Sequence, residues 1–375
     1  MNEREYFDRL DPTTSDFEEL FEHFERVSTT GRTFHVLPAA RHGVERGTVI
    51  VEDADVVIRG YPSIPRVFVL RTGVPAFFDA ETTVTVEEKL NGFNVRIADV
   101  GEPLAFTRGG HVCPYTTMRA REQLPLSSFF TDHPDEMLCA ELVGPELPYT
   151  SHDYDDVDTN SFRIFGLRNR ESGDPVPVAE RRARCEEYGF PQPRYFGQYD
   201  PEAAVEGVRD AIETLDAAGR EGVVLKAADG NAMVKYTTES QHHNELAYAF
   251  SLPFDRGQDF LFSRVVRDAF QAAEFDEDDD RLRERAHDLG ESILLSMVET
   301  IRDVEAGETV GDRHVVRGNS QTVEALLEHL RNQSLTLETE SVHRENGEHV
   351  VEFVKVGESS QDRIQYYLDG GSLTE

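Results

Sequence analysis

The stretch VEEKLNGFNVRI, residues 86–97, decides the fold, because it joins two strands through a turn that begins at Lys89. TVTVEEK before the turn and FNVRIADV after it alternate apolar and polar residues with the period of a β-strand. Lys89 is one of only four lysines in a Lys+Arg total of 38. Lysine, unlike arginine, can lose its proton and attack phosphorus. Gly92 in the turn is expected to let the backbone approach a ligand.

Two more lysines accompany Lys89. Lys226 in EGVVLK and Lys235 in AMVKY stand nine residues apart, on either side of a turn with Asp229 and Gly230. A hairpin there can direct both ammonium groups to one place. A single lysine in a turn is ordinarily an exposed surface residue, but neighbouring cations ease the loss of its proton and also bind phosphates. The three lysines therefore predict one site that handles phosphoryl groups.

Residues 71–238 are dominated by short strands. Besides the two strands around the first turn, MLCAELVG, FRIFGL, GVVLKA and AMVKY are apolar segments of strand length. Residues 178–189 and 201–221 are predicted surface helices between them. The fold class is therefore predicted to be α+β, with a mixed, mostly antiparallel sheet in this domain.

Three further regions surround this domain. Residues 1–70 are predicted to form a small α+β domain, with a helix over 15–27 capped by Ser15. Residues 239–312 have helical patterns whose apolar faces exceed what one short bundle needs, which favours docking on another subunit. Residues 313–375 are predicted as helix–strand–strand–helix, with NGEH as the hairpin turn.

The composition indicates a folded protein with an acidic shell. Asp+Glu outnumber Lys+Arg by 72 to 38, which leaves a net charge of −34. Such self-repulsion is tolerated where salt screens it, so a halophilic source is expected. The three cysteines have no metal-binding or disulfide spacing. No segment approaches the roughly 18 apolar residues of a membrane span, and a cytoplasmic protein is expected.

Six short motifs occur in one order along the chain: KLNG at 89–92, TRGG at 107–110, CAELVG around Glu141, FRIFGL at 162–167, EGVVLK at 221–226 and VKY at 234–236. Together they resemble the covalent nucleotidyltransferase superfamily of polynucleotide ligases and RNA capping enzymes. The whole chain looks most like the archaeal ATP-dependent RNA ligases that join or circularise single-stranded RNA. That resemblance implies a nucleotidyltransferase (ATP-grasp-like ligase) fold and a homodimer built through the segment after the catalytic domain.

The resemblance also implies roles for single residues. Lys89 would attack ATP and carry AMP, Glu141 would hold the ribose, and Glu221 would bind Mg²⁺, with Mn²⁺ as an alternative. Phe165 would stack on adenine, with Phe162 as the alternative if the register differs.

Other residues would complete the nucleotide site. Glu87 would read the adenine amino group while Glu88 points away. Asn94 would contact the nucleotide, and Arg108 the ribose or the RNA phosphate. Lys226 and Lys235 would bind phosphates.

Some assignments stay open. Many relatives carry a second lysine in the fifth motif, and here its place is Thr237. Arg96 fits a ligand contact or a surface pairing equally well. The arginines of 168–184 fit an RNA backbone contact or a helix face paired with glutamates.

The leading prediction is an ATP-dependent RNA ligase that acts on single-stranded RNA with a 5′-phosphate and a 3′-hydroxyl. A DNA ligase or a GTP-dependent capping enzyme would normally add a β-barrel after the fifth motif, where this sequence is helical. A non-catalytic nucleotide- or RNA-binding protein is the alternative of another class.

Overall fold

A computed structural model describes residues 3–29, 31–150 and 152–372. The strands are β1 Glu25–Thr29, β2 Arg32–Val36, β3 Val49–Val51, β4 Val56–Ile58, β5 Val84–Lys89, β6 Phe93–Asp99, β7 Pro103–Thr107, β8 Glu136–Val143, β9 Ser161–Asn169, β10 Tyr195–Tyr199, β11 Gly222–Ala227, β12 Met233–Thr237, β13 Gly311–Gly318, β14 Leu337–Glu345 and β15 Glu348–Val356. The helices are α1 Glu3–Leu10, α2 Phe17–Phe21, α3 Leu70–Phe77, α4 Pro114–Gln123, α5 Leu126–Asp132, α6 Val178–Tyr188, α7 Ala203–Asp216, α8 Glu239–Ser251, α9 Gln258–Glu274, α10 Asp279–Glu305, α11 Ser320–Asn332 and α12 Glu358–Leu368.

Two four-stranded antiparallel sheets form the central region, which confirms the predicted fold class. One has the order β10-β5-β11-β12 and the other β7-β6-β8-β9. The first packs against α3 and α7 through Val86, Val208 and Leu225. The second packs against α4 and α5 through Ile97, Phe129 and other apolar side chains. Each sheet thus has one face buried by helices, as two-layer packing requires.

The turn after Lys89 carries the chain from one sheet to the other. β5 ends at Lys89 in the first sheet, and β6 begins at Phe93 in the second. Gly92 is needed for packing here, since a Cβ at that position would lie 2.3 Å from the Leu142 carbonyl oxygen of β8. Glycine at this position therefore permits a close approach to a neighbouring strand, and the approach of the backbone to a ligand stays a prediction.

The N-terminal region corrects one predicted helix. The helix expected over 15–27 is only α2, and Asp16 rather than Ser15 caps it by accepting from the Glu18 and Glu19 amides. The chain then enters β1, which pairs with β2 in a four-stranded antiparallel sheet. Tertiary pairing of this segment with β2 overrides its helical pattern.

The last region corrects a second prediction. A third strand, β13, precedes α11 and pairs with β15 along its whole length, so the predicted αββα order is in fact βαββα. Along the chain, the helices α8 to α10 come between the central sheets and this three-stranded sheet. In the described part of the chain, none of the helices is both long enough and apolar enough to cross a membrane.

Candidate active site

Three rows of residues in register cross one face of the β5-β11-β12 sheet. They are Lys89–Gly222–Thr237, Glu87–Val224–Lys235 and Thr85–Lys226–Met233. Because side chains alternate along a strand, the members of these rows share one face. That face borders an open cleft of about 140 Å³.

The cleft brings together most of the residues that the sequence singles out. The predicted residues that line it are Lys89, Asn94, Arg108, Glu141, Phe165, Lys226 and Lys235. Tyr61, Ile64 and Pro193 also line it and were missed, because they lie outside the motifs. Residues from both central sheets therefore line one cleft.

Lys89 is paired directly with Glu221. Its Nζ lies 2.6 Å from Glu221 Oε2, and the lysine side chain remains 22% exposed while that of the glutamate is 7% exposed. Burial raises the pKa of Glu221, although the Lys89 charge opposes the shift. A carboxylate of raised pKa beside the amine is a suitable proton acceptor.

Lys226 is held from two sides. Its Nζ donates to Glu87 Oε2 at 2.9 Å and to the Phe165 carbonyl oxygen at 2.8 Å. Burial lowers the pKa of Lys226, and the Glu87 charge opposes this. The ammonium is therefore fixed in orientation beside Phe165.

Glu87 does not line the cleft, which differs from its predicted adenine-reading role. Its side chain is 1% exposed, and its oxygens accept from Arg181 at 2.5 Å and from Arg182 and Lys226 at 2.9 Å each. Burial opposes its ionisation, but Lys226 and Arg181 overcome this and lower the pKa of Glu87 to about 2. Its carboxylate lies beneath Lys226 and is already fully engaged by cations.

Lys235 lines the cleft, and its ammonium forms no ion pair with the described residues. Burial, followed by the charges of Lys89 and Arg66, lowers the pKa of Lys235 to about 8. The side chain is thus mostly charged at neutral pH, and an anionic ligand group would pair with it.

Glu141 and Asn94 form a second pair across the cleft. They are opposite each other on β8 and β6. Burial raises the pKa of Glu141 to about 7. Asn94 Oδ1 is buried and has no hydrogen-bond donor among the described residues. A ligand hydroxyl or amino group would satisfy this acceptor.

A β-bulge decides between the two candidate phenylalanines. In the β8–β9 pairing Cys139 is opposite Gly166 and Ala140 is opposite Ile164, so Phe165 is the extra residue. A bulge re-aims a side chain. Phe165 therefore faces the cleft, edge-on to Tyr61 at 5.2 Å between ring centroids. Phe162 is fully buried in the core of the second sheet.

Arg96 is structural. It is fully buried and donates to the carbonyl oxygens of Arg59, Gly47 and Thr107. It therefore ties the N-terminal region to the central sheets, and the surface pairing considered for it is wrong.

The arginines of 168–184 are also occupied within the protein. Arg181 is 1% exposed and pairs with Glu87, while Arg184 pairs with Glu136 and Glu180. The structure favours the paired reading over an RNA backbone contact for these two.

Comparisons with known proteins agree with this geometry. Residues 82–237 match the family model described as RNA ligase, and residues 248–371 match one described as the Ligase Pab1020 C-terminal region. An uncharacterised protein of Methanocaldococcus jannaschii is 38% identical over 340 residues, which is 88% of this chain and 85% of that protein.

Two solved structures, described as forms 1 and 2 of an archaeal ATP-dependent RNA ligase, are each 40% identical to this chain. Each match covers 100% of both chains, with a TM-score of 0.92. The fold of this chain is thus shared with both structures from end to end. The chain belongs to the family of archaeal ATP-dependent RNA ligases, and it is an RNA ligase.

Proposed function

We propose that the protein adenylylates itself on Lys89, and the observation that carries this is the 2.6 Å contact between Lys89 and Glu221 inside the lysine-lined cleft. Glu221 accepts the ammonium proton, and the free amine attacks the α-phosphorus of ATP. A P–N bond forms, the bond from the α-phosphorus to the bridging oxygen breaks, and pyrophosphate leaves. Lys226 and Lys235 stabilise the negative charge that develops on the phosphate oxygens.

The remaining cleft residues fit the nucleoside. Phe165 presents an aromatic side chain for stacking on adenine. Glu141 and the unpartnered Asn94 Oδ1 accept hydrogen bonds from ribose hydroxyls. Arg108 lies at the same cleft and contacts the ribose or the RNA phosphate. Glu87 acts indirectly, by holding Lys226 in place.

A divalent cation, Mg²⁺ or Mn²⁺, fits the site only together with the nucleotide. Among the described residues no three His, Cys, Asp or Glu side chains are arranged to hold a metal ion. Mg²⁺ is commonly bound through one or two carboxylates, with phosphates and water completing its shell. Glu221 is the carboxylate that would hold it, and the ion would supply charge neutralisation on the phosphates.

The later steps transfer AMP to RNA. The 5′-phosphate of the RNA attacks the α-phosphorus, the P–N bond to Lys89 breaks, and the amine regains its proton. A 3′-hydroxyl then attacks the RNA 5′-phosphorus, so that AMP leaves and a phosphodiester forms.

A second cavity supports single-stranded RNA as the substrate. It encloses about 600 Å³ between the central region and β13, and Asn91, two residues after Lys89, lies on its wall. Tyr248, which is exposed, offers a ring for base stacking, while Arg256 and Arg313 offer cations for the backbone. Aromatic and basic side chains of this kind bind single strands with little sequence preference.

The experiment that tests this function uses 5′-phosphorylated single-stranded RNA, ATP and magnesium in molar KCl, which screens the acidic surface. We expect circular or joined RNA that resists phosphatase. A matched arm replaces ATP by GTP, and another replaces the RNA by nicked duplex DNA. Sealing of the DNA nick in preference to the RNA would contradict the proposal.

We further propose that the protein is a homodimer that uses α9 and α10. Several large apolar side chains of these helices are exposed, including Phe262 at 70%, Leu294 at 59% and Leu295 at 51%. Clustered exposed apolar side chains mark an interaction surface.

Replacing both leucines, Leu294→Asp and Leu295→Asp, should convert the dimer to a monomer, because a charged face cannot be buried without a partner. Light scattering after size exclusion in fixed KCl measures the mass. Val342→Asp, at a position 61% exposed on β14, is the matched control and should leave the mass unchanged. A wild-type protein that runs as a monomer would contradict the proposal.

A further inference from the structure

We infer that Arg66, together with Arg264 and Arg267, binds the pyrophosphate that leaves during self-adenylylation. The inference rests on the proposed function, since it presupposes ATP as the donor. It assigns an anion site to residues that lie outside the motifs, from the N-terminal region and from α9.

Backbone pairing places Arg66 beside Lys235. Lys235 N donates to the Pro65 carbonyl oxygen at 2.9 Å, and Val67 N donates to the Lys235 carbonyl oxygen at 3.2 Å. Arg66 thus lies against β12 as a short parallel bridge. Its position next to the site follows from main-chain hydrogen bonds, so a side-chain substitution should leave it intact.

The guanidinium of Arg66 contacts Thr237, which stands where many relatives carry the second lysine of the fifth motif. Its Nη1 donates to Thr237 Oγ1, and that hydroxyl also lies 2.8 Å from His242 Nε2. Thr237 is two residues after Lys235 on the same strand face. Arg66 therefore supplies a cation where many relatives have one on the strand itself.

The charge around Arg66 is unbalanced. Arg66 forms no ion pair with the described residues, and its pKa is lowered by burial, against the pull of Glu245 and Glu221. Arg264 and Arg267 share one carboxylate, Glu245, at 2.5 and 3.6 Å. The chain as a whole carries a net charge of −34. Among the described residues, however, Glu245 is the one carboxylate within ion-pair distance of these guanidinium groups, and Glu221 adds a weaker, more distant attraction. Such a local excess of cations attracts an anion.

The electrostatic coupling between the arginines supports the same view. Burial, followed by the charges of Arg66 and Arg264, lowers the pKa of Arg267 to about 10. Burial and neighbouring cations each disfavour the charged form of an arginine. A bound anion would relieve the repulsion.

The arginine cluster is tied to the nucleophile loop. Glu245 accepts from Gln241 Nε2 at 3.2 Å, and Gln241 Oε1 accepts from Asn91 Nδ2 at 3.2 Å. Asn91 is two residues after Lys89. These hydrogen bonds connect the arginines to the Lys89 end of the cleft. Arg66 and Arg267 line a small pocket beside Thr237 and His242, and Arg264 lines the second cavity.

The order of the rows fits an extended nucleotide. Phe165 lies beside Lys226, which belongs to the row with Met233. Arg66 contacts Thr237, which belongs to the row with Lys89. These rows are four residues apart, or roughly 13 Å along the strand. The base and the terminal phosphates of ATP would thus occupy opposite ends of the cleft.

The test compares steps that involve pyrophosphate with a step that does not. In Arg66→Ala we expect self-adenylylation with ATP, and its reversal by pyrophosphate from the enzyme–AMP form, each to slow by roughly 10²-fold, as for the loss of one donor to a developing anion. Sealing of chemically pre-adenylylated RNA should stay at the wild-type rate, which also shows that the variant is folded. Arg66→Lys should recover part of both lost rates.

A second-site variant makes the test specific. Thr237→Lys in the Arg66→Ala background restores a cation at the same place and should recover both pyrophosphate-dependent rates. Arg331→Ala, an exposed arginine of α11, is the matched control.

The inference is overturned if Arg66→Ala forms and reverses enzyme–AMP at the wild-type rate, or if sealing of pre-adenylylated RNA falls equally far. Failure of the wild-type protein to form enzyme–AMP would instead overturn the proposed function, and this inference with it.

Discussion

We expect the variant Lys89→Arg to fold normally but to take up no label from α-labelled ATP. Arginine keeps the positive charge and can still pair with Glu221, yet it does not give up its proton at any accessible pH and cannot act as a nucleophile. We expect the rate of self-adenylylation to fall by at least roughly 10³-fold, as for the loss of a catalytic nucleophile. The measurement is label retained on the denatured chain in molar KCl.

Two controls separate this loss from a general defect. Lys355→Arg changes the one lysine outside the cleft, on β15, and should leave labelling unchanged. Lys89→Arg should still seal pre-adenylylated RNA, because that step does not require the P–N bond. Label that persists on Lys89→Arg would show that the nucleophile is another residue.

Replacement by glutamine should affect the free energy of unfolding differently at the neighbouring residues Glu87 and Glu88. Glu87→Gln should lower the free energy of unfolding by about 3 kcal/mol, because it removes the buried carboxylate that neutralises Arg181 and Lys226. It should also slow self-adenylylation, since Lys226 loses its anchor. Chemical denaturation at fixed KCl measures the free energy of unfolding.

The pH dependence of the Glu87 effect follows from its lowered pKa. The folded-state pKa of about 2 is below the ordinary value of 4.5. The stabilisation is therefore fully present above pH 4.5 and is lost as the pH falls toward 2. The difference between the wild type and Glu87→Gln should shrink over that range.

Glu88→Gln is the matched control for stability. Burial raises the pKa of Glu88, and Arg220, at 3.8 Å, offsets this only in part. Burial thus penalises the charged form of Glu88 in the folded protein, and an uncharged amide should leave the free energy of unfolding unchanged or higher. Equal losses in the two variants would contradict the assigned environments.

Local pattern was enough to predict the strands that carry the chemistry. Period-two alternation located β5 and β6, and short apolar segments located β11 and β12. The cross-strand pairing of Lys89, Gly222 and Thr237 follows the predicted antiparallel sheet. The face shared by Lys89 and Glu87 is also a local property, since side chains alternate along a strand.

Features that depend on distant segments could not be predicted in this way. The bulge at Phe165 breaks the alternation and arises from pairing with β8. Arg66 reaches the site by pairing with β12, 171 residues from Thr237 in sequence. The strand β13 and the short α2 depend on partner strands that their own residues do not reveal.

The sequence by itself determined the class of reaction, because the motif residues occur in a single order on strands whose geometry is local. Only the tertiary structure decided which carboxylates are charged and what they touch. Glu87 and Glu88 are the same residue type one position apart, but Arg181 and Lys226, 94 and 139 residues away, surround only the first. A pKa depends on burial and neighbouring charge, and these exist only once the chain has folded.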